Sequence, residues 1–460
     1  MKNTDKLYTA CAFCAVGAEK ICSNEIRKLN EQAASGEAAV YTILDTGWGR
    51  VHFQTDLAGL YQALFALRTA DRIMLQLARY DAPDFDALFD GIKNTELENF
   101  IPREAGIVIS KVRSNRSKLA AETSIQAVSH KAAAERLCAA YGLRRLNEPT
   151  PGASCELRVF LEKDRAELLL DLSGAPLFKR GYRQRGGAAP LRETTAAALL
   201  LACGWRRKYP LYDPYCGSGT IAIEAALYAC DCAPNLLRPF ALDRLLIADR
   251  ALREQIRAAL LGRIRQDAAF SIWGSDTDGE AITTARQNIQ QFFAGAGLSP
   301  ANMPVFYVQP ADKAKTYGNE PGFVVTNPPY GRRLGTPEEA EEGYKNMACL
   351  RDNFPGWKLA VICDHAGFES FFGCRADSCS ELTNGIYKTY IYQFDMYKND
   401  NHIEAKTYKN SGESTDRPQT KFNDAKPDNN FTDTKPANNF ADKKPAKNRA
   451  EKKPAKQYTW

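Results

Sequence analysis

Four short segments in the second half of the chain carry residues able to bind and activate a small ligand. The first, "DPYCGSGT" (Asp213 to Thr220), sets an acid before a turn containing Cys216, Gly217 and Gly219, then opens a helix at Thr220. Glycines let a backbone pass close to a ligand, and a helix N-terminus offers free N–H groups. The third glycine of a dinucleotide fingerprint is missing, and no lysine follows as in a P-loop. The acid therefore suits a cationic amino group better than the loop suits a phosphate. In "IWGSDTD" (Ile272 to Asp278), Asp276 is placed to accept hydrogen bonds from ribose hydroxyls, whereas Asp278 precedes a helical stretch and reads as its N-cap. The third segment, "VFYVQPAD", brings Asp312 toward an exocyclic amine of a purine. A ligand with amines and a ribose but no required phosphate fits S-adenosylmethionine better than NAD.

The fourth segment, "VVTNPPYGRRLG", places Asn327, Pro328, Pro329 and Tyr330 directly after a β-branched apolar run. Prolines force an extended path and remove donors, so carbonyls there are left as acceptors. The Asn327 side chain and the Pro328 carbonyl can together grip an amino group, and Tyr330 offers a face for a planar ring. An exocyclic amine on an aromatic base is a poor nucleophile because its lone pair is delocalised. Acceptors on both of its hydrogens favour a pyramidal nitrogen and free that lone pair for in-line attack on a sulfonium methyl. Arg332 and Arg333 behind the tip are candidate contacts to phosphates flanking a flipped-out base.

Positioning such tips needs a parallel sheet. From Pro190 onward helical and strand patterns alternate, which argues a doubly wound α/β domain whose ligands bind beyond the carboxyl ends of the strands. The final stretch "GIYKTYIYQFDMY" reads as the strand that closes that sheet. The first 175 residues instead mix helices and short strands in an α+β pattern, with one long helical pattern expected over Leu57 to Leu75. Two basic clusters stand out. "KVRSNRSKLAAETS" supplies Lys111, Arg113, Arg116 and Lys118 at a strand–helix junction, which suits phosphate binding. "PLFKRGYRQRGG" interleaves Lys179, Arg180, Arg183 and Arg185 with Phe178 and Tyr182, a stacking and phosphate-tracking pattern that also reads as an interdomain linker.

Composition is that of a soluble globular protein, and no stretch approaches the apolar length that crosses a bilayer. The apolar segment Leu7 to Ala18 could imitate a signal-peptide core, but it continues as an amphipathic helix and reads as a strand leading into that helix. The 13 cysteines show no paired CxxC spacing and the four histidines no metal-ligating pattern, so no metal is expected and the thiols suit a reducing cytoplasm. The last 63 residues, 398–460, repeat a basic-Pro pair every nine residues and lack apolar positions able to bury a core, so a disordered basic tail is expected. That tail holds 14 basic and nine acidic residues, leaving the remaining body nearly neutral.

Residues 1 to 397 resemble the bacterial THUMP-domain RNA methyltransferases, in particular the large-subunit ribosomal RNA guanine-N2-methyltransferases. The ordered set "GAEKICSNEI", "NRSKLAAETSIQ", "FKRGYR", "APLRETTAAALLL", "DPYCGSGTIAIEAA", "GSDTDGEAITTARQNI" and "TNPPYGRRLG" carries that resemblance. It implies a ferredoxin-like segment over 1–55, a THUMP domain over 56–175, a basic linker over 176–189 and a Rossmann-like class I methyltransferase domain over 190–397. It also implies that the N-terminal parts grip folded RNA, most simply 23S rRNA, while Asn327 to Tyr330 hold a guanine amine. A transfer RNA target, a DNA or protein amino-methyltransferase, and a non-catalytic ribosome-assembly factor are the competing readings. Protein partners are not legible here, and no membrane partner is expected.

Overall fold

The computed structural model describes residues 6–33, 40–150, 154–183, 191–316, 320–329, 337–385 and 387–396. The expected tail, together with Tyr330, Arg332 and Arg333, lies outside the described residues. In the first half the elements are β1 (Tyr8–Cys14), α1 (Glu19–Ala33), β2 (Thr42–Gly47), β3 (Arg50–Thr55), α2 (Leu57–Ala66) and β4 (Ala70–Asp81). There follow α3 (Phe85–Lys93), β5 (Ile107–Asn115), α4 (Glu122–Tyr141), β6 (Cys155–Glu162) and β7 (Arg165–Asp171).

These seven strands form one sheet in the order β2-β3-β1-β4-β7-β6-β5, antiparallel except for the β5–β6 pair. β4 is the shared member, pairing with β1 on one side and β7 on the other. The helical pattern over Leu57 to Leu75 overruns the structure: α2 stops at Ala66, and Ala70 to Leu75 belong to β4. Asp56 caps α2 by accepting from the Gly59 N–H at 2.7 Å. Alternation along the strands separates two faces. Tyr8, Ala10, Ala12, Val51, Phe53, Ile73, Leu75, Val159, Leu168 and Leu170 enter the main core. On the opposite face, among the described residues, Cys11, Met74 and Leu169 form a small apolar cluster with Phe13 and Phe160 against it.

The second half contains α5 (Glu193–Ala202), β8 (Leu211–Asp213), α6 (Thr220–Ala229), α7 (Arg250–Gly262), β9 (Ile272–Asp276), α8 (Gly279–Gly295) and β10 (Val305–Val308). After β11 (Phe323–Thr326) come α9 (Pro337–Asn346), α10 (Cys349–Asn353), β12 (Lys358–Cys363), α11 (Phe368–Phe372), β13 (Ser378–Asn384) and β14 (Tyr387–Asp395). The sheet order is β10-β9-β8-β11-β12-β14-β13, with β8 to β12 parallel and β14 antiparallel to both its neighbours. The last strand does not close the sheet, because β13 pairs outside it. Chain order reverses direction beside β8, where β9 and β11 lie on opposite sides; crevices beyond strand ends form at such points.

The central strands β8, β11 and β12 are buried on both faces, as parallel strands inside a sheet require. Val325 and Phe323 enter the core shared with the first half, whereas Val324, Leu359 and Val361 enter a second core with Phe368, Tyr392 and Phe394. The two halves also share polar joints. Arg68 donates to the Cys232 carbonyl at 2.7 Å, and the Asn235 amide donates to the Leu64 carbonyl at 2.9 Å. At the far edge, the Val16 N–H donates to Thr383 Oγ1 at 2.9 Å, and the Thr383 N–H donates back to the Val16 carbonyl at 2.9 Å.

Candidate active site

The β8 end is wholly buried, and Asp213 is only 1% exposed. Its Oδ1 accepts from Thr326 Oγ1 at 2.7 Å and from the Tyr215 N–H at 3.2 Å. Among the described residues no cation pairs with it. Burial pushes its pKa up to about 7, and nearby Asp276 adds to the rise while Thr326 and the Tyr215 N–H oppose it. A buried carboxyl without a cation beside it is a fitting receptor for a ligand ammonium.

The loop that follows is pinned to β9. The Cys216 N–H donates to the Ser275 carbonyl at 2.9 Å, and the Gly217 N–H donates to Asp276 Oδ2 at 2.9 Å. Its two glycines act differently. Gly219, at φ +83°, would place a Cβ 2.9 Å from the Ala285 Cβ and 3.1 Å from Phe306, so it serves close packing against α8 and β10. Gly217, at φ +50°, would place a Cβ in open space, so there the loop borders the crevice rather than the core. Cys216 is buried, and burial raises its thiol well above the usual range, so it is a wall and not a nucleophile.

Asp276 does two jobs, because its other oxygen accepts from the Asp278 N–H at 3.0 Å. Asp278 is the N-cap of α8, accepting from the Glu280 N–H at 2.8 Å, as its sequence position suggests. Asp312 lies exposed in the turn after β10, with Lys313 Nζ 3.4 Å away. Tyr215 was not singled out by the sequence reading, yet its phenol is pushed up to about 12 by burial, then by Cys349, Asp312 and Asp276. It therefore stands among the acids of the crevice, and its place directly between Pro214 and Cys216 was the available signal.

β11 delivers the fourth segment. It runs between β8 and β12, with Val324 opposite Tyr212 and Thr326 opposite Val361. Because Thr326 holds Asp213, Asn327 emerges next to that acid, half-buried, followed by a buried Pro328 and an exposed Pro329. Thr326 was missed because nothing in a terminal strand threonine reveals its partner on another strand.

The basic clusters divide. Arg180 was expected on an RNA-facing surface, but it is 1% exposed. It pairs with Glu224 at 3.3 Å and donates to Asn235, to the Leu177 carbonyl and to the Arg68 carbonyl. This guanidinium is structural. Tyr182 is fully buried, edge-on to Phe292, and offers no stacking face. Arg183 reaches the cofactor-type loop instead, donating to Thr220 Oγ1 at 2.7 Å and pairing with Glu193 at 3.4 Å. Lys179 is exposed. Lys111, Arg113, Arg116 and Lys118 are exposed on and after β5. Arg113 is paired with Glu122 in the first turn of α4 at 2.9 Å, so a carboxylate already occupies the place proposed for a phosphate. Among the described residues no group of three or more His, Cys, Asp or Glu could hold a metal, and no helix is long and apolar enough to cross a membrane.

Comparison with known proteins agrees with this layout. Residues 180–393 match the family model "RMKL-like, methyltransferase domain", and residues 9–74 match "RlmL ferredoxin-like domain". YpsC of Bacillus subtilis (strain 168), named as a candidate RNA methyltransferase, is 34% identical over 390 residues, covering 85% of this chain and 96% of the relative. The ribosomal RNA large subunit methyltransferase K/L of Syntrophotalea carbinolica is 31% identical over 400 residues, 83% of this chain and 52% of the relative. This chain thus spans about half the length of that K/L protein. Among solved structures, SMU.472, a methyltransferase candidate complexed with SAH, is 30% identical with a TM-score of 0.73, covering 85% of this chain and 98% of that one. A protein described as a predicted N6-adenine-specific DNA methylase from Listeria monocytogenes is 32% identical with a TM-score of 0.74, covering 85% and 96%. The strand order 3-2-1-4-5-7-6 of the second sheet, the glycine loop pinned to its neighbouring acid and a relative matched over nearly its whole length converge: the chain belongs to the RMKL-like family of methyltransferases.

Proposed function

We propose that the chain transfers a methyl group from S-adenosylmethionine to the exocyclic N2 amine of a guanine in structured RNA, most simply 23S rRNA. The carrying observation is the Thr326–Asp213 hydrogen bond, which sets the Asn327 tip beside the acid-and-glycine loop. S-adenosylmethionine is supported by the SAH bound to SMU.472 and by the buried acid without a cation. RNA is supported by the ferredoxin-like match and by relatives named for RNA, against the DNA substrate named for the Listeria protein.

When bound, S-adenosylmethionine supplies an electrophilic methyl on a sulfonium. Asp213 accepts the cofactor's ammonium, Asp276 its ribose hydroxyls and Asp312 its adenine amine. Cys216, Gly217, Gly219 and Thr220 form the wall and floor between them. Asn327 and the Pro328 carbonyl accept both hydrogens of the target amine, orienting its lone pair, while Pro329 and Tyr330 shape the tip against the base. No strong base is needed, since the methylated nitrogen sheds its proton readily to water.

Incubating the full chain with labelled cofactor and 23S rRNA, tRNA or DNA, followed by mass mapping, tests the reading. N2-methylguanine in 23S rRNA is expected. The same product in tRNA alone would move the substrate, and N6-methyladenine in DNA would overturn the assignment.

A further inference from the structure

The open face of the first sheet is not evenly charged. β1, β3, β4 and β6 place alternate residues on it: Phe13, Arg50, Arg72 and Arg158. Strand register sets Phe13 opposite both Arg50 and Arg72. Two cavities of ≈ 520 Å³ each lie along this face and share Trp48, Arg50 and Phe160. In one, four arginine or lysine residues (Arg50, Arg79, Lys163, Arg165) and His52, held between Asp45 and Glu167, meet four carboxylates, so charge nearly balances. The other runs toward the methyltransferase half, and there Arg50, Arg72, Lys111, Arg158 and Arg192 face one lining carboxylate, Asp71.

The acids that hold these arginines, Glu167, Asp171 and Glu156, stand on the same open face by strand alternation and fix each guanidinium while offsetting part of its charge. Lys111 registers the resulting field. Its pKa is lowered first by partial burial and then by Arg113, Arg158 and Arg72. Flat faces alternate with the cations: Arg50 lies over Phe160 at 5.1 Å, Arg158 over Phe13 at 5.9 Å and Arg192 over Phe178 at 4.8 Å.

Trp48 is an independent observation. Its side chain is 81% exposed at the β2–β3 turn, with a left-handed backbone at φ +47° that a bulky residue rarely adopts. The turn is nonetheless fixed, because the Gly49 carbonyl accepts from the Cys14 N–H at 2.8 Å and the Gly49 N–H donates to Glu19 at 2.6 Å. An exposed indole on a fixed turn, at the rim of a groove lined by cations, suits an unpaired base. The wall of the groove at Arg192 is tied to the β8–α6 loop, since the neighbouring Glu193 pairs with the Arg183 that donates to Thr220 at the start of α6.

We propose that this groove, from Trp48 to Arg192 between the open sheet face and the methyltransferase half, holds an unpaired segment of the substrate RNA, with bases stacked on its aromatic faces and phosphates on its cations. The inference rests on RNA being the substrate class, and it adds the path by which that RNA reaches the crevice.

The test uses the full chain with a fluorescent single-stranded oligoribonucleotide, the same oligomer in duplex form, and a polyglutamate competitor. Trp48→Ala should weaken single-strand binding about ten-fold. Lys111→Glu should weaken it several-fold and flatten the salt dependence. Arg165→Glu, in the balanced cavity, should change little. S-adenosylmethionine affinity by calorimetry should be unchanged in all three, so its loss in the parent protein would count against the methyltransferase reading rather than the groove. Parent-like RNA binding in both groove variants would overturn the proposal, as would equal weakening by Arg165→Glu. Preference for the duplex, or displacement by polyglutamate as effective as by RNA, would also overturn it.

Discussion

At the scale of single residues, Asp213 and Asn327 make separable predictions. Burial pushes Asp213 up to about 7 in the fold, against about 3.9 for an ordinary aspartate. The folded chain therefore keeps a proton that the unfolded chain releases between those values, and this group's contribution to stability falls as pH rises through that window. Ligand binding runs the other way, because an ammonium needs the ionised form. S-adenosylmethionine affinity, measured by calorimetry, should tighten from pH 6 to pH 8, and Asp213→Asn should weaken it and flatten that part of the pH dependence. Asn327→Ala should lower the methylation rate by about 10²- to 10³-fold while cofactor affinity survives, as expected for an acceptor that acts on the target amine. The strand-end acids were legible because a parallel sheet sends its carboxyl ends to one rim. Arg180 was not legible, because what removes it from the surface is Glu224 and Asn235, brought to it only by folding.

At the scale of elements, the β8–α6 loop predicts an asymmetry between its glycines. Gly219→Ala combines a left-handed backbone with a 2.9 Å approach to the Ala285 Cβ and should cost about 2 kcal/mol or more. Gly217→Ala bears only the backbone cost, about 1 kcal/mol, while crowding the crevice. Chemical denaturation checks both, and Gly217→Ala should lose more cofactor affinity than its stability loss implies. Long apolar elements were readable, but polar edge strands were not. β13 is "SCSELTN" with Leu382 its lone buried apolar side chain, and β2 is exposed along nearly its whole length. Such strands carry little hydrophobic period for a sequence to display. The overrun of α2 has a similar root, since "LFALRTADRIML" keeps apolar residues at both helical and strand spacings.

At the scale of the molecule, the two halves share a common core and buried polar contacts. The Arg180–Glu224 pair sits at this joint, wholly buried. Glu224→Ala alone should destabilise the chain by about 3–5 kcal/mol by stranding the guanidinium, whereas Arg180→Met with Glu224→Leu should recover most of that loss. Thermal unfolding of both variants would show it. Removing residues 398–460 should weaken RNA affinity mainly at low salt, and an unchanged salt slope would show that the tail makes no phosphate contact. The order of the halves was readable from their different patterns, but the unequal charge of the open sheet face was not. It arises from strands far apart in sequence, each contributing one or two residues.

The exchange of hydrogen bonds between Val16 and Thr383 links positions 367 residues apart. Gly17 beside it leaves no room for a side chain, its Cβ falling 2.1 Å from the Glu381 carbonyl. During synthesis this clasp can form only once the penultimate strand has left the ribosome, long after β1 and α1 are made. The earliest loop of the chain thus waits for one of the latest strands. Final docking of the two ends is a late, high-contact-order event that reports whether nearly the whole folded body has been completed.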